Sequence, residues 1–457
     1  MSAVVVALLA TAGYMVNTRS PRSVDTPQFG RVRLYPPWLD SKGFIYLFSD
    51  ARGWRESEEE AARDFARAGQ LVIGIDTPQF LAWAAKRPPT ECVYMPGLLE
   101  DYSRVLQRSS DNRQYLAPAL LGDELGATLV YMAQLQAPPT AFNAAVMIDP
   151  QDQIALQRPF CDHPPAAVAA NGVVQTIRPE PPGANVAERV LLDAPGPGTR
   201  ALVAAIPGVL PGAVRAGATL HDTYKAALAS IDAERASSGV GDLPLAEVPA
   251  VPALPSVASQ APTAHADTFA ILYSGDGGWR DLDRSLATIL AAKGLSVVGV
   301  DVLRYYWTQK KPAVAAADLA RIARYYQQRW HKQKLVLIGF SFGADVLPFL
   351  VSRLPADLKS DVSLLSLLAP ERRTAFEVET TGWLGVHNSA GMPIAPELKK
   401  LAGLKVQCIY GRDEGDDSLC TTDAAPAVDA TVLVKDGGHH FDKDYAELAD
   451  QILAAVP

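Results

Sequence analysis

Residues 44–55 read Phe-Ile-Tyr-Leu-Phe-Ser-Asp-Ala-Arg-Gly-Trp-Arg, and residues 269–280 read Phe-Ala-Ile-Leu-Tyr-Ser-Gly-Asp-Gly-Gly-Trp-Arg, an offset of 225. The register continues: Gly69 meets Gly294, and Val72-Ile-Gly-Ile-Asp76 meets Val297-Val-Gly-Val-Asp301. Further on, Leu121-Gly-Asp-Glu-Leu-Gly-Ala127 meets Ile338-Gly-Phe-Ser-Phe-Gly-Ala344 at an offset of 217, so the first copy holds about eight extra residues in between. Chance does not preserve such an order, and a chain that contains itself twice is expected to build two similar cores. With 457 residues it is in any case too long for one core, and at 48 % apolar it is too apolar for global disorder.

Each copy alternates short apolar runs, such as Leu335-Val-Leu-Ile338 and Val406-Gln-Cys-Ile-Tyr410, with longer helical patterns such as residues 313–330. That alternation predicts an α/β fold, a mainly parallel sheet covered on both faces. Pro, Ala and Ser dominate residues 236–266, which read as a semi-extended linker between domains at 30–235 and 267–457. Residues 1–29 read as a targeting segment. The apolar run from Ala3 to Val16 falls short of the ~20 residues of a spanning helix. Ala10-Thr-Ala12 offers a cleavage site, but no Lys or Arg precedes it, so a cleaved signal or a short anchor is expected, with an N-terminal core helix as the alternative.

Four cysteines, two in each half, suit one bridge per half in an oxidising compartment such as the periplasm: Cys408–Cys420 and Cys92–Cys161, with free thiols as the alternative. No C-x-x-C or Cys/His cluster calls for a metal, and nothing calls for a cofactor. A net charge of −8 argues against direct binding of nucleic acid.

Gly339-Phe-Ser-Phe-Gly343 is a G-x-S-x-G string between an apolar strand and a helical stretch. That is the setting of a nucleophile elbow, with Ser341 as the nucleophile. The base is expected on the glycine-rich loop before the last helix, Asp436-Gly-Gly-His-His-Phe441, as His439 or His440. The acid is expected in Gly411-Arg-Asp-Glu-Gly-Asp-Asp-Ser418, where Glu414 has a common spacing and Asp413, Asp416 and Asp417 are alternatives. Backbone donors for an oxyanion are expected from Phe342 and from the first strand–helix loop at Gly275, Asp276 and Gly277. Two α/β-hydrolase-like domains follow, the N-terminal one degenerate. There Ser341 aligns with Glu124, the first loop has lost glycines, and His221 is at most a relic of the base.

The strings Tyr273-Ser-Gly-Asp-Gly-Gly-Trp279, Gly299-Val-Asp301, Ile338-Gly-Phe-Ser-Phe-Gly-Ala-Asp345, Cys408-Ile-Tyr-Gly411 with Cys420, and Gly437-Gly-His-His-Phe-Asp442 resemble the AcvB/VirJ family of bacterial virulence-associated proteins. They span the C-terminal copy, and the additional N-terminal half is similar to the longer, AcvB-like members. The resemblance implies a periplasmic serine esterase that releases lysine from lysyl-phosphatidylglycerol, a membrane-surface substrate. It also implies a link to virulence, DNA transfer and secretion-system proteins. The residues alone indicate only an ester or thioester hydrolase; a general lipase or thioesterase and a non-catalytic assembly factor for secretion are the alternatives. On this reading Asp276 and Asp345 are placed to meet an ammonium group, with loop hydrogen bonding and helix capping as their other roles. Tyr305 and Trp307 are placed to shape an acyl or headgroup cleft, or else to pack as buried aromatics.

Overall fold

The computed structural model describes residues 20–26, 29–88, 91–109, 115–138, 141–181, 187–211, 214–250, 265–378 and 391–457. Most of the expected targeting segment lies outside them. No helix among the described residues is long and apolar enough to cross a membrane. The chain forms two compact units that divide between Arg235 and Ala236.

The first unit is built on β1 (Arg22–Thr26), β2 (Gly30–Tyr35), β3 (Gly43–Phe48), β4 (Gln70–Ile75), β5 (Ala119–Asp123), β6 (Ala144–Ile148), β7 (Ala187–Leu192) and β8 (Val209–Pro211), in the order β1-β2-β4-β3-β5-β6-β7-β8. The second uses β9 (Leu245–Val248), β10 (Thr268–Tyr273), β11 (Ser296–Val300), β12 (Lys334–Phe340), β13 (Val362–Leu368), β14 (Val406–Gly411) and β15 (Thr431–Lys435), in the order β9-β11-β10-β12-β13-β14-β15. Pairing is antiparallel for β1 with β2, β2 with β4, and β9 with β11, and parallel along the rest of each sheet. Apart from β1, the two strand orders are one topology written twice.

The strands correct two boundaries. Residues 22–26 are sheet strand β1, not targeting segment. Part of the expected linker is β9: Ala246 pairs with Gly299 and is fully buried, and the Glu247 carboxylate accepts a hydrogen bond from Tyr326 Oη at 2.9 Å. β9 occupies the place in the second sheet that β2 holds in the first. Proline and alanine dominate its flanks, and a four-residue strand leaves too little alternation to stand out from them.

Helices cover both faces of each sheet, which is why β10 is buried along its whole length. Of the helices, α1 (Glu56–Arg67) in the first unit and α3 (Asp281–Ala292), α4 (Pro312–Trp330) and α6 (Tyr445–Ala455) in the second bury one face, whereas α2 (Leu125–Gln136) and α5 (Phe342–Ser352), which follow the two elbows, are buried along almost their whole length. α3 buries Leu282, Leu286, Ala287 and Leu290, the three-to-four spacing of one helical face.

The repeated sequence positions also carry repeated contacts. A Cβ on Gly74 would lie 2.2 Å from the Trp54 ring, and one on Gly299 would lie 2.1 Å from the Trp279 ring. Thr77 N donates to Ser49 Oγ and Val302 N to Ser274 Oγ, both at 3.0 Å. Disulfides join Cys92 to Cys161 and Cys408 to Cys420. The second fastens strand β14 to the far side of the acidic turn that follows it.

Candidate active site of the C-terminal unit

β12 runs buried into Phe340, and Ser341 then takes φ 52° and ψ −123° before α5 begins. An L-residue is held in such a conformation at a cost of order 1–3 kcal/mol only where its surroundings enforce it. The flanking glycines supply the room. A Cβ on Gly339 would sit 2.6 Å from Ala344 N, and one on Gly343 would sit 2.2 Å from Tyr273 O. Ser341 N donates to Leu368 O at 2.9 Å, and Asp345 N donates to Ser341 O at 3.0 Å. The serine thus caps the C-terminal end of an interior strand at a helix N-terminus, where backbone N–H groups and the helix dipole favour negative charge.

His439 and His440 lie beyond β15, with ring centroids 5.2 and 5.5 Å from that of Phe340, the residue before Ser341. His439 Nδ1 is 2.7 Å from Glu414 Oε1, and Glu414 Oε2 accepts the Gly411 N–H at 2.7 Å. The two loops approach closely: Asp413 N donates to Gly437 O at 3.1 Å, and a Cβ on Gly411 would lie 2.3 Å from Gly438 O. Of the four carboxylates, Glu414 turns inward with its side chain 16 % exposed, while Asp413, Asp416 and Asp417 are exposed. His440 is the more exposed of the two histidines, and partial desolvation together with neighbouring His439 lowers its pKa.

Gly275 faces the nucleophile, since a Cβ there would lie 3.6 Å from Ser341 Cβ and 3.2 Å from the Phe340 ring. Gly278 N donates to Gly275 O at 3.1 Å and closes the turn containing Asp276 and Gly277, both half-buried. Asp283 is a neighbour that the sequence reading passed over. It is buried, and burial drives its pKa well above the ordinary carboxylate value, opposed chiefly by the Gly275 backbone N–H. A signal did exist: at offset 225 it falls on Glu58, another buried acid.

Three expected substrate contacts belong to the interior instead. Tyr305 is 5 % exposed and donates from Oη to Asp318 Oδ2 at 2.6 Å, and Trp307 is 2 % exposed. Asp345 is 4 % exposed, and its Oδ1 accepts the Glu371 N–H at 2.7 Å; burial, followed by the charge of Glu371, raises its pKa well above the ordinary value. It ties α5 to the segment after β13. Asp276 is left as the half-buried acid on this face.

The first unit keeps the elbow without its chemistry. Glu124 holds φ 45° and ψ −110°, and a Cβ on Gly122 would meet Ala127 N at 2.6 Å, the same distance as for Gly339. In place of Gly275 stands buried Asp50, whose Oδ2 accepts from Arg52 Nε and Arg55 Nη2, each at 2.7 Å. In place of Phe340 stands Asp123, pushed up to about 7 by burial and by the charges of Glu124, Asp50 and Glu58. His221 packs edge-on against Phe65, with ring centroids 4.7 Å apart.

Strand order, elbow and the ordered loops beyond β12, β14 and β15 define the C-terminal unit as an α/β-hydrolase-fold domain. Residues 267–457 match the family model described as bacterial virulence protein (VirJ). No curated protein matches the chain. Solved structures that resemble part of it include Est1E from Butyrivibrio proteoclasticus (10 % identity, 46 % of this chain and 93 % of that one, TM-score 0.34). A dienelactone hydrolase from Anabaena variabilis is similar at 15 % identity (47 % and 91 %, TM-score 0.32). So is XC6422 from Xanthomonas campestris, an α/β serine hydrolase without a lid, at 17 % identity (47 % and 88 %, TM-score 0.31). The match to the family of bacterial virulence proteins is confined to the C-terminal unit and leaves the N-terminal unit outside it.

Proposed function

We propose that the C-terminal unit is a serine esterase that cleaves the aminoacyl ester of lysyl-phosphatidylglycerol at the membrane surface. The observation that carries the catalytic part is the Glu414–His439 contact of 2.7 Å beside the strained Ser341 elbow. In this reading Ser341 Oγ attacks the lysyl carbonyl while His439 Nε2 takes its proton, and Glu414 holds the Nδ1–H. The Phe342 N–H and a second amide from the turn of Gly275, Asp276 and Gly277 receive the oxyanion. His439 then returns the proton to the departing glycerol oxygen, and water cleaves the lysyl-enzyme by the same route.

The substrate assignment rests on the family resemblance. The half-buried Asp276 and the overall charge of −8 are consistent with a cationic lipid and disfavour retention of the anionic product. Two disulfides suit a periplasmic location, and secretion components as partners rest on the family resemblance alone. The test is lysine release from lysyl-phosphatidylglycerol vesicles. Ser341→Ala should lower the rate by about 10⁴-fold or more. Release at the wild-type rate would remove the serine mechanism, and equal turnover of neutral esters would replace the substrate by a general lipid ester.

A further inference from the structure

We propose that the relic pocket of the N-terminal unit binds a hard divalent cation through Asp50, Glu58 and Asp123. One carboxylate oxygen from each lies within 4.8 Å of the others. Two oxygens on opposite sides of a Ca²⁺ ion bound at ~2.4 Å are separated by roughly the same distance, and an all-oxygen donor set is the type that Ca²⁺, Mg²⁺ and Mn²⁺ prefer.

Two further observations indicate a missing partner. No hydrogen bond or ion pair among the described residues reaches the Asp123 carboxylate. Tyr224 is fully buried, its hydroxyl has no hydrogen-bond partner among the described residues, and that hydroxyl lies in the field of Asp123, Glu58 and Asp50. A buried hydroxyl left without a partner is costly, whereas an ion or its bound water beside the three carboxylates would engage it. Competition comes from Arg52 and Arg55, which both pair with Asp50; Arg55 also contacts Glu58 at 3.2 Å. Arg52 is 61 % exposed and can withdraw to solvent when a cation enters.

The position explains why the pocket could change its ligand. These side chains stand where the second copy holds Gly275, Asp283 and Phe340, beside Glu124 in place of the serine. A pocket shaped for a developing oxyanion has become one lined by carboxylates. Their sequence positions, Asp50, Glu58 and Asp123, have no metal-site spacing, and only the fold brings them together.

The full chain, stripped with EDTA and dialysed, is titrated with CaCl₂, MgCl₂ and MnCl₂ by calorimetry, and its thermal unfolding is followed with each ion. The expected result is one saturable site per chain for at least one of the three ions, with a higher unfolding temperature. Asp123→Asn should bind at least about 10-fold more weakly while remaining folded, since it removes an uncompensated charge; Tyr224→Phe should also weaken binding. Ser341→Ala should bind as wild type does. Absence of saturable binding by all three ions would overturn the proposal and leave an arginine–carboxylate network only. Asp123→Asn binding as tightly as wild type would overturn it equally.

Discussion

Glu414→Gln keeps the size of the side chain and its contact with the Gly411 N–H but removes the charge that stabilises an imidazolium at His439. Turnover should fall by about 10³–10⁴-fold, whereas Asp413→Asn and Asp417→Asn should change it little; steady-state kinetics on the three variants check this. The elbow was readable in the sequence because close backbone approach admits only glycine at 339 and 343, and that requirement leaves a spacing. The acid was less readable. Four carboxylates fall within five residues, and which one turns inward depends on a break at Gly415, where φ is 50° and ψ −127°. Tyr305, Trp307 and Asp345 were expected at the site because they are near it along the chain. Their burial depends on what α4, α5 and the segment after β13 bring against them, which sequence distance does not record.

At the scale of elements, the stretch between the copies separates two readings. A linker residue tolerates almost any substitution, but Ala246 sits in β9 with no exposed surface. Ala246→Asp would bury an unpaired charge and should destabilise the C-terminal unit by about 3 kcal/mol or more, measured as a loss in its thermal unfolding temperature. A change within about 0.5 kcal/mol would return the segment to the linker reading. The repeated strand–loop–helix units were legible because Ser49 and Ser274, Trp54 and Trp279, and Asp76 and Asp301 each make matching contacts in the two copies. β9 was not, because the strand equivalent to β2 kept its place in the sheet but not the constant offset.

At the scale of the whole molecule, one carboxyl in each unit illustrates the two senses in which burial and pairing make stability depend on pH. In the first, burial raises Glu188 to about 8, so the folded state holds a proton that the unfolded chain loses near 4.5. Its stability therefore falls as pH rises from about 4.5 and levels off above about 8. Glu188→Gln should stabilise this unit by about 1–3 kcal/mol at pH 8 and by much less at pH 5. In the second, Glu397 is lowered to about 2: burial acts to raise it, but hydrogen bonds from Arg353, Lys400 and Ser352 outweigh that effect. The stability it contributes is present above the unfolded carboxylate pKa and is lost as pH falls toward 2. Unfolding curves at pH 3, 5 and 8 should show Glu188→Gln gaining stability over wild type as pH rises and Glu397→Gln losing it, and equal effects of either variant at all three pH values would contradict its assignment.

The duplication therefore keeps one scaffold and divides its chemistry. The same backbone turn presents a serine beside a histidine–glutamate pair in one unit and a glutamate among acids in the other. The most direct measurement of that division is labelling of the full chain with a fluorophosphonate, followed by mass spectrometry of its peptides. A single adduct is expected on Ser341, strongly reduced in His439→Ala and absent from the N-terminal unit. No adduct, or an adduct on a different serine, would contradict it.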